Sequence, residues 1–224
     1  VAASGSPRAG PDGLPRCPWA LGAEDYRRYH DEEWGVPVRT DTALLERLVL
    51  EGFQAGLSWL TILRKREAFR LAFAGFAPAT VAAYTEQDVA RLLTDASIVR
   101  HRGKIEAAIT NARALCALQR RDGPDALSRL VWGHAPATHP VPRRLRDVPA
   151  RTAESAALAR ALRREGFVFV GPTTVYAAMQ ACGVVDDHLA GCAFRAGPDE
   201  DGPRLWDNGG QVDRHSEGKR TWRQ

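Results

Sequence analysis

Residues 50–63, Leu-Glu-Gly-Phe-Gln-Ala-Gly-Leu-Ser-Trp-Leu-Thr-Ile-Leu, place a single acid, Glu51, in a stretch dominated by apolar and small residues. Ahead of it Leu44, Leu45, Leu48 and Val49 recur at helical spacing, and Gly56 supplies a stop for that helix. Ser58 is placed to cap a second helix that carries Trp59, Ile62 and Leu63. The pattern predicts helix, tight turn, helix, which brings Glu51 and Trp59 toward one cavity. Spacing alone leaves two readings open. One is a partly exposed Glu at a helix end beside an ordinary core Trp; the other is a binding site built on an isolated carboxyl group.

The remainder of the chain points to an all-α fold. Residues 25–30 form a short predicted helix with Tyr26, Tyr29 and His30 on one side, ended by Trp34-Gly35-Val36-Pro37. Thr40 or Asp41 caps the helix carrying Glu51. Pro78, Thr85, Asp125 and Thr152 open further helices, and Ile105, Ile109, Ala112 and Leu115 pattern a long one. Four prolines, at 136, 140, 142 and 149, mark an irregular connection. Val168-Phe169-Val170 has no evident partner strand, so Gly166 to Gly171 is read as a tight hairpin between two helices, the second starting at Thr173 or Thr174. Residues 1–15 lack periodicity and are expected to be a disordered leader. The domain is expected to span 16–196, with a disordered polar tail over 197–224 that includes Trp206 and Trp222.

A chain of 224 residues can bury one substantial core without needing two domains. No apolar run approaches the roughly 20 residues of a membrane span, and no signal-peptide core is present, so a cytoplasmic protein with no membrane partner is expected. The formal charge of +4 permits a nucleic-acid partner without requiring one. Arg100, Arg102 and Lys104, grouped around Gly103, form either a phosphate contact or a solvated basic turn. His134 and His139 are expected to be solvated.

The four cysteines are too dispersed for a dense disulfide framework. Cys17 with His30, and His188 with Cys192 at helical spacing, each offer two nitrogen or sulfur ligands. Together they make a closed set of the kind used for structural zinc; the alternative is buried thiols and ordinary histidines. Cys116 and Cys182 read as small core residues.

Seven motifs, taken in order, carry a resemblance. They are Arg-Cys-Pro-Trp (16–19), Tyr-His-Asp-Glu-Glu-Trp-Gly-Val-Pro (29–37), Leu-Glu-Gly-Phe-Gln-Ala-Gly-Leu-Ser-Trp (50–59), Ile-Val-Arg-His-Arg-Gly-Lys-Ile (98–105), Gly-Phe-Val-Phe-Val-Gly (166–171), Met-Gln-Ala-Cys-Gly (179–183) and Asp-His-Leu-Ala-Gly-Cys (187–192). The chain resembles the bacterial DNA-3-methyladenine glycosylase I family, within the helix-hairpin-helix DNA glycosylases.

The resemblance implies a helical glycosylase fold in which a structural zinc on Cys17, His30, His188 and Cys192 joins the N- and C-terminal segments. It implies a monomeric enzyme acting on double-stranded DNA with alkylated bases, flipping out 3-methyladenine and hydrolysing its glycosidic bond to leave an abasic site. Glu51 is then the catalytic, base-recognising acid, with Trp59, Tyr29, Tyr26 and Trp19 as the aromatic pocket. Leu57 is then either a wedge for the vacated base stack or an exposed turn residue, and Gly166 and Gly171 frame backbone amides expected to meet phosphate. Thr173 stands where bifunctional relatives carry a Schiff-base Lys, which implies no strand nicking. Asp187 is a rival acid, expected instead to support the neighbouring ligand His188 or to cap a helix. Two departures from the family pattern, Phe53 for Gln and Ser97 for Gly, bear on DNA contacts.

Overall fold

The apolar periodicities resolve, in a computed structural model describing residues 5–195, into nine α-helices among the described residues. These are α1 (Glu24–Glu32), α2 (Asp41–Gln54), α3 (Trp59–Ala72), α4 (Pro78–Ala82), α5 (Glu86–Thr94), α6 (Arg102–Asp122), α7 (Ala126–Trp132), α8 (Ala153–Arg164) and α9 (Pro172–Ala181). Helix α2 lies at the centre, packed against α3, α6, α7 and α9. Its Leu44, Leu45, Leu48, Val49, Leu50 and Phe53 are all buried with Ile62 and Phe69 of α3, Ile105 and Ile109 of α6, and Val175 and Met179 of α9. Each such side chain contributes about 1.5–3 kcal/mol of burial. A helix enclosed this way leaves its one late acid, Glu51, inside the protein.

Several predicted caps form as expected. Ser58 Oγ accepts from Thr61 N at 3.2 Å, Thr152 Oγ1 from Ser155 N at 3.2 Å, and Thr85 N donates to Asp88 Oδ2 at 2.9 Å. Two differ. Asp125 takes a left-handed conformation (φ 60°) and makes no side-chain cap for α7. Asp41 does that work from α2: buried, it accepts from Ser128 N and Gln119 Nε2, each at 2.8 Å. It ties α2, α6 and α7 together through contacts that no local signal could announce. Helix α9 begins at Pro172, whose missing N–H costs nothing in the first turn.

Residues 166–171 form a turn rather than a strand, with Gly166 at φ +89°. Asn111 of α6 braces it by two bonds, Nδ2 to Val168 O at 3.1 Å and Val168 N to Oδ1 at 2.8 Å. Val168 and Phe169 stay exposed at its tip.

The N-terminal expectation needs correction within the described residues. Strands β1 (Arg8–Ala9) and β2 (Pro15–Arg16) pair antiparallel, Gly5 O accepts from Leu145 N at 2.9 Å, and Pro15 O accepts from Ala193 N at 2.8 Å. The ribbon has no apolar face for a periodicity search to detect. It is held instead by the buried Arg16, which donates to Asp12 (2.6 Å) and Asp31 (2.9 Å). The predicted tail over 197–224, with Trp206 and Trp222, lies outside the described residues. Among those described, no helix is long and apolar enough to cross a membrane.

Candidate active site

Helices α1, α2, α3 and α9 and the turn at Pro18–Gly22 enclose a cavity of about 170 Å³, lined by Trp19, Tyr26, Tyr29, Trp34, Glu51, Gln54, Trp59, Ala177 and Gln180. Its aromatic rings pack on one another at an angle: Tyr29 on Trp59 at 5.5 Å between centroids, Trp19 on Tyr26 at 4.9 Å, and Trp19 on Trp34 at 5.0 Å. Electron-rich faces thus surround a space of small-molecule size.

Glu51 is 6% exposed, and no described group donates a hydrogen bond to its carboxylate. Burial pushes its pKa up to about 8, with Arg47 pulling the other way. Arg47 is itself buried and donates to Glu33 at 3.3 Å, and Glu33 is gripped from the far side by Arg66 at 2.8 Å. Burial, reinforced by the Glu51 charge, raises the Tyr29 phenol well above its usual value. A lone acceptor among aromatic faces favours a proton or a cation over a neutral guest.

The glutamines of the cavity point the same way chemically. Gln54 Nε2 donates to Leu57 O at 2.9 Å and Gln180 Nε2 to Asp187 Oδ2 at 2.7 Å, so one N–H of each amide is engaged outside the cavity.

The predicted pocket residues Trp19, Tyr26, Tyr29, Glu51 and Trp59 all come together here. Trp34, Gln54, Ala177 and Gln180 join them without having been singled out. Trp34 stands in a stretch that reads as a helix stop, and Gln180 one turn past Ala177 reads as solvated. Leu57, 40% exposed, sits on the turn between α2 and α3. Of the basic turn, Arg100 is exposed, whereas Arg102 pairs with Glu86 (2.6 Å) and Glu106 (3.3 Å). Lys104 is committed elsewhere: its ammonium donates to Phe53 O at 2.9 Å and Ala55 O at 2.6 Å, satisfying the last carbonyls of α2. Phe53 is buried against Phe69 at 4.7 Å between centroids, so that departure is a core substitution rather than a surface one. Ser97 donates to Asp95 in an exposed turn.

On the other side of Trp34 lies a second cluster. The ligand atoms of Cys17, His30 and Cys192 fall within 4.8 Å of one another, with Cys192 Sγ 3.6 Å from His30 Nε2. The ring of His188 stands 4.8 Å from that of His30, and its buried Nε2 has no partner among the described residues. Both histidines are oriented by carboxylates, His30 Nδ1 by Asp31 and His188 Nδ1 by Asp186, each at 2.8 Å. That leaves both Nε2 atoms available, the arrangement metal-binding histidines use. Hydrogen bonding to its partner sulfur and burial push the Cys17 thiol up, and bonds from Cys17 and His30 push Cys192 down.

Two further expectations change. Asp187 does not support His188, since Asp186 does. Asp187 turns the other way and accepts from His139 Nε2 (2.7 Å), Tyr176 OH (2.6 Å) and Gln180 Nε2 (2.7 Å). His139 is therefore part of a buried network, with its side chain 18% exposed, rather than solvated.

A sequence profile described as methyladenine glycosylase matches residues 19–196. The chain is 46% identical over 187 residues to DNA-3-methyladenine glycosylase 1 of Escherichia coli (strain K12), covering 82% of this chain and 98% of that one. Its fold is similar to a crystal structure of 3-methyladenine DNA glycosylase I, with a TM-score of 0.77, 45% identity, and coverage of 81% of this chain and 100% of the other. It is also similar to the 3-methyladenine DNA glycosylase I from Staphylococcus aureus studied for its recognition of 3-methyladenine, with a TM-score of 0.74, 36% identity, and coverage of 80% and 96%. A profile spanning most of the chain and a relative matched along nearly its whole length agree with the cavity's own chemistry, and the chain belongs to the methyladenine glycosylase family.

Proposed function

We propose that the protein excises 3-methyladenine from alkylated double-stranded DNA by flipping the base into the aromatic cavity and hydrolysing its N-glycosidic bond. The observation that carries this reading is the unpaired, buried carboxyl of Glu51 facing a cage of five aromatic residues. A base methylated at N3 is cationic while attached to its sugar, so it is already a good leaving group. The C1′–N bond breaks with its electron pair leaving on the base, which departs neutral, and water adds at C1′ and loses a proton. Little acid assistance is needed, and selecting the cation becomes the main task.

Aromatic faces attract such a cation by roughly 0.5–2 kcal/mol. Its charge also draws the proton off Glu51, whose carboxylate then accepts a charge-assisted bond from the exocyclic amine. Neutral adenine gains less from both interactions. Extrusion costs a few kcal/mol, less for damaged bases. Leu57 fills the vacated stack from the turn beside the cavity. Backbone amides of the hairpin framed by Gly166 and Gly171, at the start of α9, take a phosphate, helped by the helix dipole. Arg100 and Arg102 are secondary phosphate contacts, Arg102 after exchanging its carboxylate partners.

Zinc fits the Cys17, His30, His188 and Cys192 set because it is closed, carries two thiols, and leaves His188 Nε2 otherwise unpartnered. Bound there, it supplies structural cross-linking between chain ends. Thr173 cannot form an imine, so the enzyme leaves an abasic site without nicking. We also assign it as a monomeric cytoplasmic enzyme.

The test is incubation with methylated duplex DNA, chromatography of released bases, and electrophoresis of the strand. Release of 3-methyladenine from an intact strand is expected. Binding without base release would reduce the protein to a DNA-binding module, and borohydride trapping of a covalent adduct would contradict the monofunctional assignment.

A further inference from the structure

Asp187 is 3% exposed and receives three donors: His139 on Oδ1, and Tyr176 and Gln180 on Oδ2. It neither lines the cavity itself nor belongs to the cysteine and histidine cluster, and the reading of function leaves it idle. A carboxylate accepts only, so whatever side chain meets it must present a donor. Gln180 does so with its amide nitrogen at 2.7 Å, and Gln180 also lines the cavity. Its amide oxygen receives no hydrogen bond from any described residue.

A glutamine amide ordinarily flips to suit its guest. Here flipping would turn the amide oxygen onto the Asp187 carboxylate, replacing a charge-assisted bond with the opposition of two acceptors in a buried setting. Tyr176 and His139 hold one oxygen each of Asp187, so the carboxylate is fixed in orientation and cannot turn away from the change. Gln180 is therefore held with its amide nitrogen on Asp187 and its amide oxygen left to accept from a guest in the cavity it lines. Gln54, whose nitrogen is committed to Leu57 O, is biased the same way, though its partner is an exposed turn.

We propose that Gln180 is a specificity-determining residue that admits purines bearing an amine at C6 and rejects those bearing a carbonyl, and that Asp187 is the positioning residue that locks it. This rests on the proposed excision of methylated bases. An amine supplies protons to Glu51 and to the Gln180 oxygen together. A carbonyl at C6 would meet two acceptors and leave them unpaired. Discrimination of this kind, through buried polar groups left without partners, is far stronger than discrimination by shape.

Duplex DNA treated with dimethyl sulfate carries both 3-methyladenine and 3-methylguanine, two N3-methylated cations with an amine and a carbonyl at C6 respectively; the C2 amine of the guanine is common to every variant compared. Released bases are separated by chromatography under single-turnover conditions for the parent, Gln180→Met, Asp187→Asn and the double variant. Gln180→Met keeps length and removes the acceptor. It is expected to raise the ratio of 3-methylguanine to 3-methyladenine about tenfold. Asp187→Asn, which can pair with either orientation of Gln180, is expected to raise the ratio in the same direction. Because Asp187 acts through Gln180, the double variant is expected to match Gln180→Met alone.

Metal content and melting temperature are measured for each variant. Should Asp187→Asn lose metal or melt early, Gln180→Met decides, since it leaves the carboxylate in place. A Gln180→Met ratio equal to the parent's, or equal loss of both bases, overturns the proposal, as does a folded Asp187→Asn with an unchanged ratio. A parent that releases no methylated base would instead overturn the reading of function on which it rests.

Discussion

The cavity and the cysteine and histidine cluster sit back to back, sharing Trp19 and Trp34, and they treat buried polarity in opposite ways. Trp34 lines the cavity with one part of its ring and meets His188 at 4.6 Å with another. In the cluster each histidine has its own carboxylate, and the ligand atoms of Cys17, His30 and Cys192 lie within 4.8 Å of one another, with the His188 ring beside them. In the cavity Glu51 has no hydrogen-bond partner among the described residues and shares the lining with five aromatic residues. Convergent donors suit an ion that stays; a solitary acceptor suits a guest that comes and goes. One corner of the fold therefore holds two kinds of buried polar site, a fastening and a receptor, the fastening drawing His30 from α1 and Cys17, His188 and Cys192 from loops, and substitutions should separate the two.

The largest effect should come from the fastening. Cys17→Ser removes a ligand and a buried thiol, so zinc content should fall well below one per chain. The cost, on the order of 5 kcal/mol or more, takes most of a typical domain's stability. Metal analysis with thermal melting checks this, and full stability after chelation would break the comparison.

Glu51 should behave in the opposite sense. Its folded pKa of about 8 lies above the unfolded value near 4.5, so the protonated group's contribution is fully present below about pH 4.5 and is lost as pH rises through 8. Above that pH a buried, unpaired carboxylate burdens the fold. Glu51→Gln should then melt higher than the parent at pH 9, by about 5 °C, with the gap closing toward pH 5. Such a gain at a receptor residue, against a loss at every ligand residue, would sharpen the distinction.

A smaller effect tests how the receptor is held in place. Lys104→Met frees the Phe53 and Ala55 carbonyls at the end of α2 and should cost about 1–2 kcal/mol in denaturant unfolding. If Lys104 instead serves phosphate, stability would be untouched while DNA affinity fell. The smallest change in stability, under about 0.5 kcal/mol, is expected for the exposed Leu57→Ala. Its excision of 3-methyladenine should slow on duplex but much less on single-stranded DNA, as kinetics on the two substrates would reveal.

Much of the receptor was readable from local signals. Glu51 and Trp59 flank a glycine stop and a serine cap, and Tyr26 and Tyr29 share a helix face, so spacing formed each pair, and the family motifs joined the pairs in one pocket. The four residues of the fastening were legible as two pairs, and only the family motifs joined them. Trp34, Gln54 and Gln180 were missed because a turn Trp and two helix-end glutamines look solvated until packing encloses them. Asp41, Asn111 and Lys104 were illegible for another reason: each satisfies backbone groups of a segment distant in sequence, and no periodicity encodes such a bond. The β1–β2 ribbon was missed because one buried arginine, rather than an apolar face, holds it.

The claim that an isolated carboxyl selects the cationic base is tested most directly by single-turnover excision of 3-methyladenine from methylated duplex DNA. The measurement compares folded, zinc-loaded Glu51→Gln and Asp187→Asn with the parent. Glu51→Gln keeps the shape and removes the charge, and should raise the barrier by about 2–4 kcal/mol, while Asp187→Asn should lose less because it acts only through Gln180. Excision at the parent rate by Glu51→Gln, with Asp187→Asn inactive, would contradict the account and move the catalytic assignment to Asp187.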